Sequence, residues 1–246
     1  MADVSARARP MLRYLLAFAG LTLCLLFAGL SRWQYGRGEE KALWLERVEQ
    51  ARTAPPRALA EALVDPPLTG LPVTVTADIE LRPAPRLRLD NQQREGRVGL
   101  REYGLARIAG TEHAWLIVDL GWQPLPPDRQ LPPLEDLPAR IEALGLLTDL
   151  PGQGLRLAPN PRVAPDSDSV LLNYLDVDEL SAQTGLDIAP RLLRLDPAVP
   201  VGHARDLDVL PNTLPPEKHR GYALQWAGLS VAALVITLLL YFRSRR

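Results

Sequence analysis

Gly221 to Phe242 reads GYALQWAGLSVAALVITLLLYF, and Tyr14 to Leu30 reads YLLAFAGLTLCLLFAGL. Neither stretch contains a charged residue or a proline. At 1.5 Å rise per residue they span about 33 and about 26 Å, against a hydrocarbon core of roughly 30 Å. Both predict transmembrane helices. The prolines mark the same boundaries: of 24, one is Pro10 and 23 lie between Pro55 and Pro216. The helical pattern of the first span runs on through Trp44 and Val48 to Arg52, where Pro55 and Pro56 stop it. The expected organisation is a tail at 1–11, a span at 12–31, a juxtamembrane helix at 32–54, an exported domain at 55–216, a second span at 221–242 and a tail at 243–246.

Two alternatives compete with this division. A cleaved signal peptide would suit the basic leader of Arg7, Arg9 and Arg13, but the apolar run exceeds a usual h-region and no A-x-A site follows it. An uncleaved anchor is expected. A buried soluble helix would suit the second stretch, but the arginine-rich end at Arg243, Arg245 and Arg246 argues against it. With basic residues on both tails, the positive-inside rule predicts that both termini are cytoplasmic and residues 32–220 lie beyond the bilayer. Arg32, Arg37 and Lys41 oppose that assignment and are outweighed by the two tails. The leader is too short for an organelle transit peptide, so the expected location is a bacterial inner membrane with a periplasmic central domain.

Lys plus Arg is 28 and Asp plus Glu is 29, a balance that argues against a nucleic-acid binder. The one cysteine, Cys24, sits in the first span, which excludes an intrachain disulfide and any cysteine-based zinc or iron–sulfur site.

The exported region reads as short strands. Val73, Val75, Ala77 and Ile79 alternate with polar residues, and Leu87 and Leu89 alternate with Arg86, Arg88 and Asp90, the period of a half-buried strand. Tyr103–Ile108 and Trp115–Leu120 flank Ala109-Gly110-Thr111 as a hairpin. Ile141–Leu147 and Arg191–Leu195 add strands, and Val177–Thr184 is a short helix with Asp176 as N-cap, Glu179 completing a capping box, and Gly185 after its end. Pro124–Pro138 must be loop or edge. The predicted class is an α+β membrane protein: two terminal transmembrane helices flanking an antiparallel β-rich domain, barrel-like or sandwich-like.

Catalytic motifs are scarce. No G-x-S-x-G, H-E-x-x-H, P-loop or G-x-G-x-x-G occurs. Histidines stand only at 113, 203 and 219, too far apart in sequence for a local metal cluster. Asp166-Ser167-Asp168-Ser169 lacks the Gly and Glu of a calcium loop and reads as a turn. Asp119, an acid within an apolar strand, has the type of a general base but no evident partner, and reads as a strand-end polar residue.

Polar and aromatic residues cluster instead where each span meets the exported domain. Trp33, Arg37 and Lys41, spaced by four, share a helical face beside Gln34 and Tyr35. At the second junction Tyr222 lies about 60° and Trp226 about 20° from His219, forming one stripe. Gln225, about 120° away, suggests contact between helices, because an amide in lipid needs a partner. An aromatic belt accounts for Trp33, Tyr35, Tyr222 and Trp226, but less well for His219 and Gln225. A neutral imidazole at a membrane surface is also a ready axial ligand for haem iron.

Three blocks resemble the surfeit locus protein 1 family, the assembly factors of haem-copper cytochrome c oxidase. Trp33-Gln34 with Arg37 and Lys41 is similar to the family's W-Q-x-x-R-x-x-x-K pattern. Val118-Asp119-Leu120-Gly121-Trp122-Gln123-Pro124 resembles its V-N-R-G-W-V-P strand and turn. His219, Tyr222, Ala223 and Trp226 match its H-x-x-Y-A-x-x-W opening of the last span. In the middle block Asp119 and Leu120 replace Asn and Arg, and Gln123 replaces Val. If that Arg pairs with a haem propionate or a partner acid in the family, this chain lacks the contact, and Gly121 and Trp122 serve as a tight turn and a core aromatic.

The resemblance implies a non-enzymatic chaperone that helps haem a reach, or stabilises, subunit I of the oxidase, with subunit I, the haem a synthesis enzyme and the lipid bilayer as partners. It implies His219 as haem ligand, with Trp33, Gln34, Tyr222 and Trp226 lining one site, and Arg37, Lys41, Gly121, Trp122 and Gln225 in partner or structural roles. The alternatives are a two-helix scaffold such as a polysaccharide chain-length regulator, which would need long exported helices, and a membrane-anchored periplasmic hydrolase.

Overall fold

The computed structural model describes residues 4–65, 70–108, 111, 113–152, 158–164, 166–208 and 214–243. The chain forms two compact units, one of residues 1–46 with 210–246 and one of residues 47–209. Its helices are α1 (Val4–Thr53), α2 (Leu59–Val64), α3 (Val177–Thr184) and α4 (Pro216–Arg243). Both apolar stretches lie inside α1 and α4, each long and apolar enough to cross a membrane. The first span and the juxtamembrane segment form one uninterrupted helix, because no proline occurs between Pro10 and Pro55.

The second unit is built on eight strands: β1 (Arg57–Ala58), β2 (Val73–Leu81), β3 (Arg86–Arg94), β4 (Arg97–Arg107), β5 (Trp115–Pro124), β6 (Arg140–Thr148), β7 (Ser169–Leu172) and β8 (Ile188–Leu195). They pair in the order β1-β2-β6-β8-β5-β4-β3-β7. β4 also returns to β2 through Glu80↔Arg107 and Leu81↔Ala106, so β2, β6, β8, β5 and β4 close into a ring. The barrel-like option is the one adopted. The sheet is mixed rather than antiparallel throughout, since β1–β2, β3–β7 and β5–β8 run parallel. Alternation reveals a strand's faces but not its direction. Parallel partners need long crossovers, and residues 125–187 separate β5 from β8.

Two apolar clusters hold the ring. One gathers Val75, Ile79, Ala106, Val118, Leu120, Leu147 and Leu193 with Leu59 and Ala62 of α2. The other collects Leu105, Ile117 and Leu192 with Leu172 of β7 and Val177 and Leu180 of α3. Successive residues of β5 enter opposite clusters, so this strand is buried on both faces and reads as a continuous apolar run. β2 retains the one-sided pattern.

β3 corrects a sequence expectation. Arg86 and Arg88 should face water opposite Leu87 and Leu89, yet they are 4% and 2% exposed. Register supplies the reason: Arg88 stands directly across from Glu102, which accepts from Arg86 Nη1 at 2.8 Å. α3 has its expected bounds. Asp176 Oδ1 accepts from the Glu179 amide, and Gly185 takes φ 68°, but the Glu179 carboxylate accepts from Gln183 at 3.0 Å and Asn160 at 3.4 Å. The β4–β5 hairpin forms, while Ala109 and Gly110 at its tip lie outside the described residues. The proline-rich connection is extended, and its Pro132 and Glu135 carbonyls accept from Arg88 and Arg86. Strands β1 and β7 and helix α2 carried no expectation from sequence.

Candidate functional site

On α1, Gly20, Cys24, Phe27, Ser31, Gln34, Gly38 and Lys41 recur every three or four residues, the spacing of one helical face. On α4, His219, Ala223, Trp226, Ser230 and Thr237 fall on a face of the same period. These faces meet. Ser31 Oγ donates to the Ala223 carbonyl at 2.8 Å, Ser230 Oγ donates to the Cys24 carbonyl at 2.9 Å, and Phe27 packs on Trp226 with centroids 5.5 Å apart. Glycine permits the approach at two levels. A Cβ on Gly20 would lie 2.0 Å from Thr237 Oγ1, and one on Gly38 would lie 3.3 Å from His219 Cβ. Small residues and side chain-to-backbone bonds are how helices associate in lipid, where apolar burial gives little drive.

At the end of this seam His219 Nδ1 lies 2.8 Å from Gln34 Oε1. In the tautomer that donates from Nδ1 to this carbonyl oxygen, the lone pair is on Nε2. A ring fixed by its second nitrogen is the usual preparation of a metal-ligating histidine. His219 is half-buried, so the ring is held without being sealed. Lys41 Nζ donates to the Leu214 carbonyl, and Arg220 pairs with Glu39 at 2.9 Å, tying the start of α4 to α1. Among the described residues no three His, Cys, Asp or Glu side chains gather as a metal cluster. A single imidazole suits an iron that brings its other donors with it, as haem iron does.

The aromatic residues expected around His219 do not converge on it. Trp33 precedes Gln34 by one residue, a turn of about 100°, and is 57% exposed. Tyr222 stands about 60° off the seam and is 43% exposed, with Ala223 in the inward position. Trp226 is inside the seam against Phe27, and Arg37 pairs with Glu40 at 3.0 Å. Gln225 is exposed, and Ser31 and Ser230 supply side chain-to-backbone bonds between the helices. The sequence names His219 and Gln34, which the structure brings together, but not Gly38 and Ser31, whose signal is the three-four spacing of small residues along α1.

The middle block lies in β5 and is structural. Asp119 Oδ2 pairs with Arg101 at 2.8 Å, and Oδ1 accepts from the Gly121 amide at 2.9 Å, so this acid is a fixed anchor with partners on either side. Gly121 is no tight turn. It adopts φ 110° at an irregularity in the β4–β5 ladder, within a strand that continues to Pro124. Trp122 is a core aromatic whose Nε1 donates to the Gln92 carbonyl at 2.9 Å, with Gly99 leaving room for its ring. Leu120, where the family pattern has Arg, is fully buried.

A second buried charge cluster surrounds Glu102. Arg86 Nη1 bonds it at 2.8 Å, Arg88 Nε lies 3.4 Å away, Gln123 Nε2 donates at 3.3 Å, and His203 Nε2 stands at 3.6 Å. Burial pushes the Glu102 carboxyl upward, but the bond and charge of His203 with the charges of Arg88 and Arg86 outweigh it, and the group titrates below the usual carboxylate range. Burial lowers the Arg88 pKa and is only partly offset by Glu102. These groups gather on Glu102 and join strands, with Arg88 Nε and Nη2 left without a hydrogen bond.

The sequence model of the SURF1 family matches residues 21–231. That range contains the helix seam from Cys24 to Ser230 apart from its Gly20–Thr237 end, the barrel and His219. A comparison with curated proteins finds no match.

Proposed function

The chain belongs to the SURF1 family, known for cytochrome c oxidase assembly, and on that premise we propose that it holds haem a on His219 during maturation of oxidase subunit I. The observation that carries this reading is the His219–Gln34 bond, which orients the ring and leaves Nε2 with its lone pair. Haem a is the cargo, and its iron takes an axial imidazole while the porphyrin fills the equatorial positions. His219 supplies the donor and Gln34 fixes its tautomer. Half-burial suits transfer, because a fully enclosed ligand site would oppose release.

In this reading the chain catalyses no reaction. It receives haem a from the enzyme that makes it and passes it to subunit I. The membrane is a bacterial inner membrane with both termini cytoplasmic and the barrel periplasmic. The two apolar helices and the basic tails support that orientation. The strand composition of residues 57–195 favours this role over a chain-length regulator, whose long exported helices are absent among the described residues.

The test is the absorption spectrum of the detergent-purified chain co-expressed with haem a synthesis. Wild type should carry a haem a spectrum, His219→Ala should lose it, and Gln34→Leu should retain it with about 10–100-fold weaker binding. Equal haem content in wild type and His219→Ala overturns the ligand assignment.

A further inference from the structure

The other end of the helix pair holds a groove of about 490 Å³, within the range of ligand pockets. Leu16, Ala17, Ala233 and Ile236 contribute apolar walls, and Arg13 and Tyr241 stand at its end. The Arg13 guanidinium lies 4.8 Å from the centroid of the Tyr14 ring and 5.3 Å from that of Tyr241. Its Nη2 donates to Tyr14 Oη at 2.9 Å, while its Nε is buried with no hydrogen-bond partner. Among the described residues nothing acidic lies along this part of either helix: α1 has no Asp or Glu before Glu39, and α4 has none after Glu217.

We infer that this groove binds an acidic phospholipid, one acyl chain lying along the apolar walls and the headgroup phosphate meeting Arg13. The chemistry is complementary on both counts. The walls match a hydrocarbon chain, and a guanidinium with no acidic partner among the described residues, close to two rings, matches a phosphate. The position fits as well, since Arg13 adjoins the first uncharged residue of the span, where a headgroup lies. Basic pockets between membrane helices select anionic lipids on this principle, and one arginine near the surface is worth about 1 kcal/mol, or about fivefold.

Native mass spectrometry of the full chain, purified in detergent and offered equal amounts of dioleoyl phosphatidylglycerol and dioleoyl phosphatidylcholine, reads the preference directly. Wild type should retain phosphatidylglycerol about fivefold over phosphatidylcholine. Arg13→Gln should bring the two to parity at unchanged helical content, and Ala233→Phe, which fills the groove, should lose both. His219→Ala, remote from the groove, should keep the wild-type preference whether or not it binds haem. Parity in wild type, a preference that survives Arg13→Gln, or undiminished lipid in Ala233→Phe each overturns the proposal.

Discussion

Replacing Glu102 by Gln changes one buried charge and almost no volume. The side chain is 1% exposed, and the Arg86 and Arg88 side chains facing it are 5% and 2% exposed. The substitution therefore strands two buried cations while creating no cavity. Breaking a buried pair from one side costs about 3–5 kcal/mol, because the remaining charge is desolvated without compensation. For a domain of this size, about 2–4 °C of Tm accompanies each kcal/mol, so the melting point should fall by about 6–20 °C. Removing Arg88 should behave differently. Its Nε and Nη2 make no hydrogen bond, and Glu102 would keep Arg86, Gln123 and His203. Arg88→Met should therefore cost less than about 2 kcal/mol, since exchanging a buried charge for an apolar side chain is often near neutral. Thermal unfolding of the detergent-purified chain, followed by the far-ultraviolet signal of the sheet, compares the two. Equal losses, or a Glu102→Gln shift under about 1 kcal/mol, would refute the view that Glu102 is the keystone and Arg88 the surplus.

Three further outcomes follow from the same geometry. Glu102 is held below its ordinary value of 4.5 in the folded chain, so its contribution is complete above that pH and fades as pH falls through its lower folded value; the Tm gap between wild type and Glu102→Gln should therefore narrow in acid, and a constant gap sinks the electrostatic account. Gly121→Ala must place a Cβ 2.7 Å from the His203 carbonyl at φ 110°, costing about 1–3 kcal/mol from backbone strain alone, and an unchanged melting point contradicts it. In Ser230→Cys the new thiol replaces an oxygen 3.3 Å from Cys24 Sγ, so mild oxidation should join the two, and full alkylation of both cysteines after oxidation would show that the helices pair in another register.

What sequence revealed and what it concealed divide along physical lines. Uninterrupted apolar length disclosed α1 and α4, because a membrane imposes a minimum span whatever the rest of the chain does. Local chemistry disclosed α3, whose Asp176 cap and Gly185 terminus need only their neighbours. Strand positions were legible where one face is buried, as in β2. Strand direction was not, because alternation is identical in parallel and antiparallel ladders. Arg86 and Arg88 misled for a related reason. Charge normally marks a solvent face, and only the register with β4 places Glu102 opposite Arg88 and within reach of Arg86. At the helix junction, angular arithmetic on α4 alone grouped His219 with Tyr222 and Trp226. The partner helix kept His219 and Trp226 on one face, took Ala223 into the seam and left Tyr222 exposed.

The distribution of satisfied and unsatisfied groups then separates support from chemistry. In the barrel Asp119 has Arg101 and the Gly121 amide, and Glu102 has two arginines, a glutamine and a histidine. Acids so fully engaged lack the spare capacity that a base or a ligand needs, and their neighbours are the walls of a closed ring. Leu120 belongs with them: where the family pattern carries Arg, this chain has a fully buried apolar residue that packs in the core. His219 is in the opposite condition. One nitrogen meets Gln34 and the other is left for a ligand, on a helix pair also joined through Ser31 and Ser230. Gln34 and His219 are 185 residues apart in sequence and meet only if α1 and α4 pair in this register. On the proposed function, ligand strength would therefore depend on the seam as much as on the imidazole. A seam mutation such as Gly38→Val, whose Cβ meets the His219 and Pro216 positions at 3.3 Å, should weaken haem retention while leaving His219 and the barrel's melting point intact.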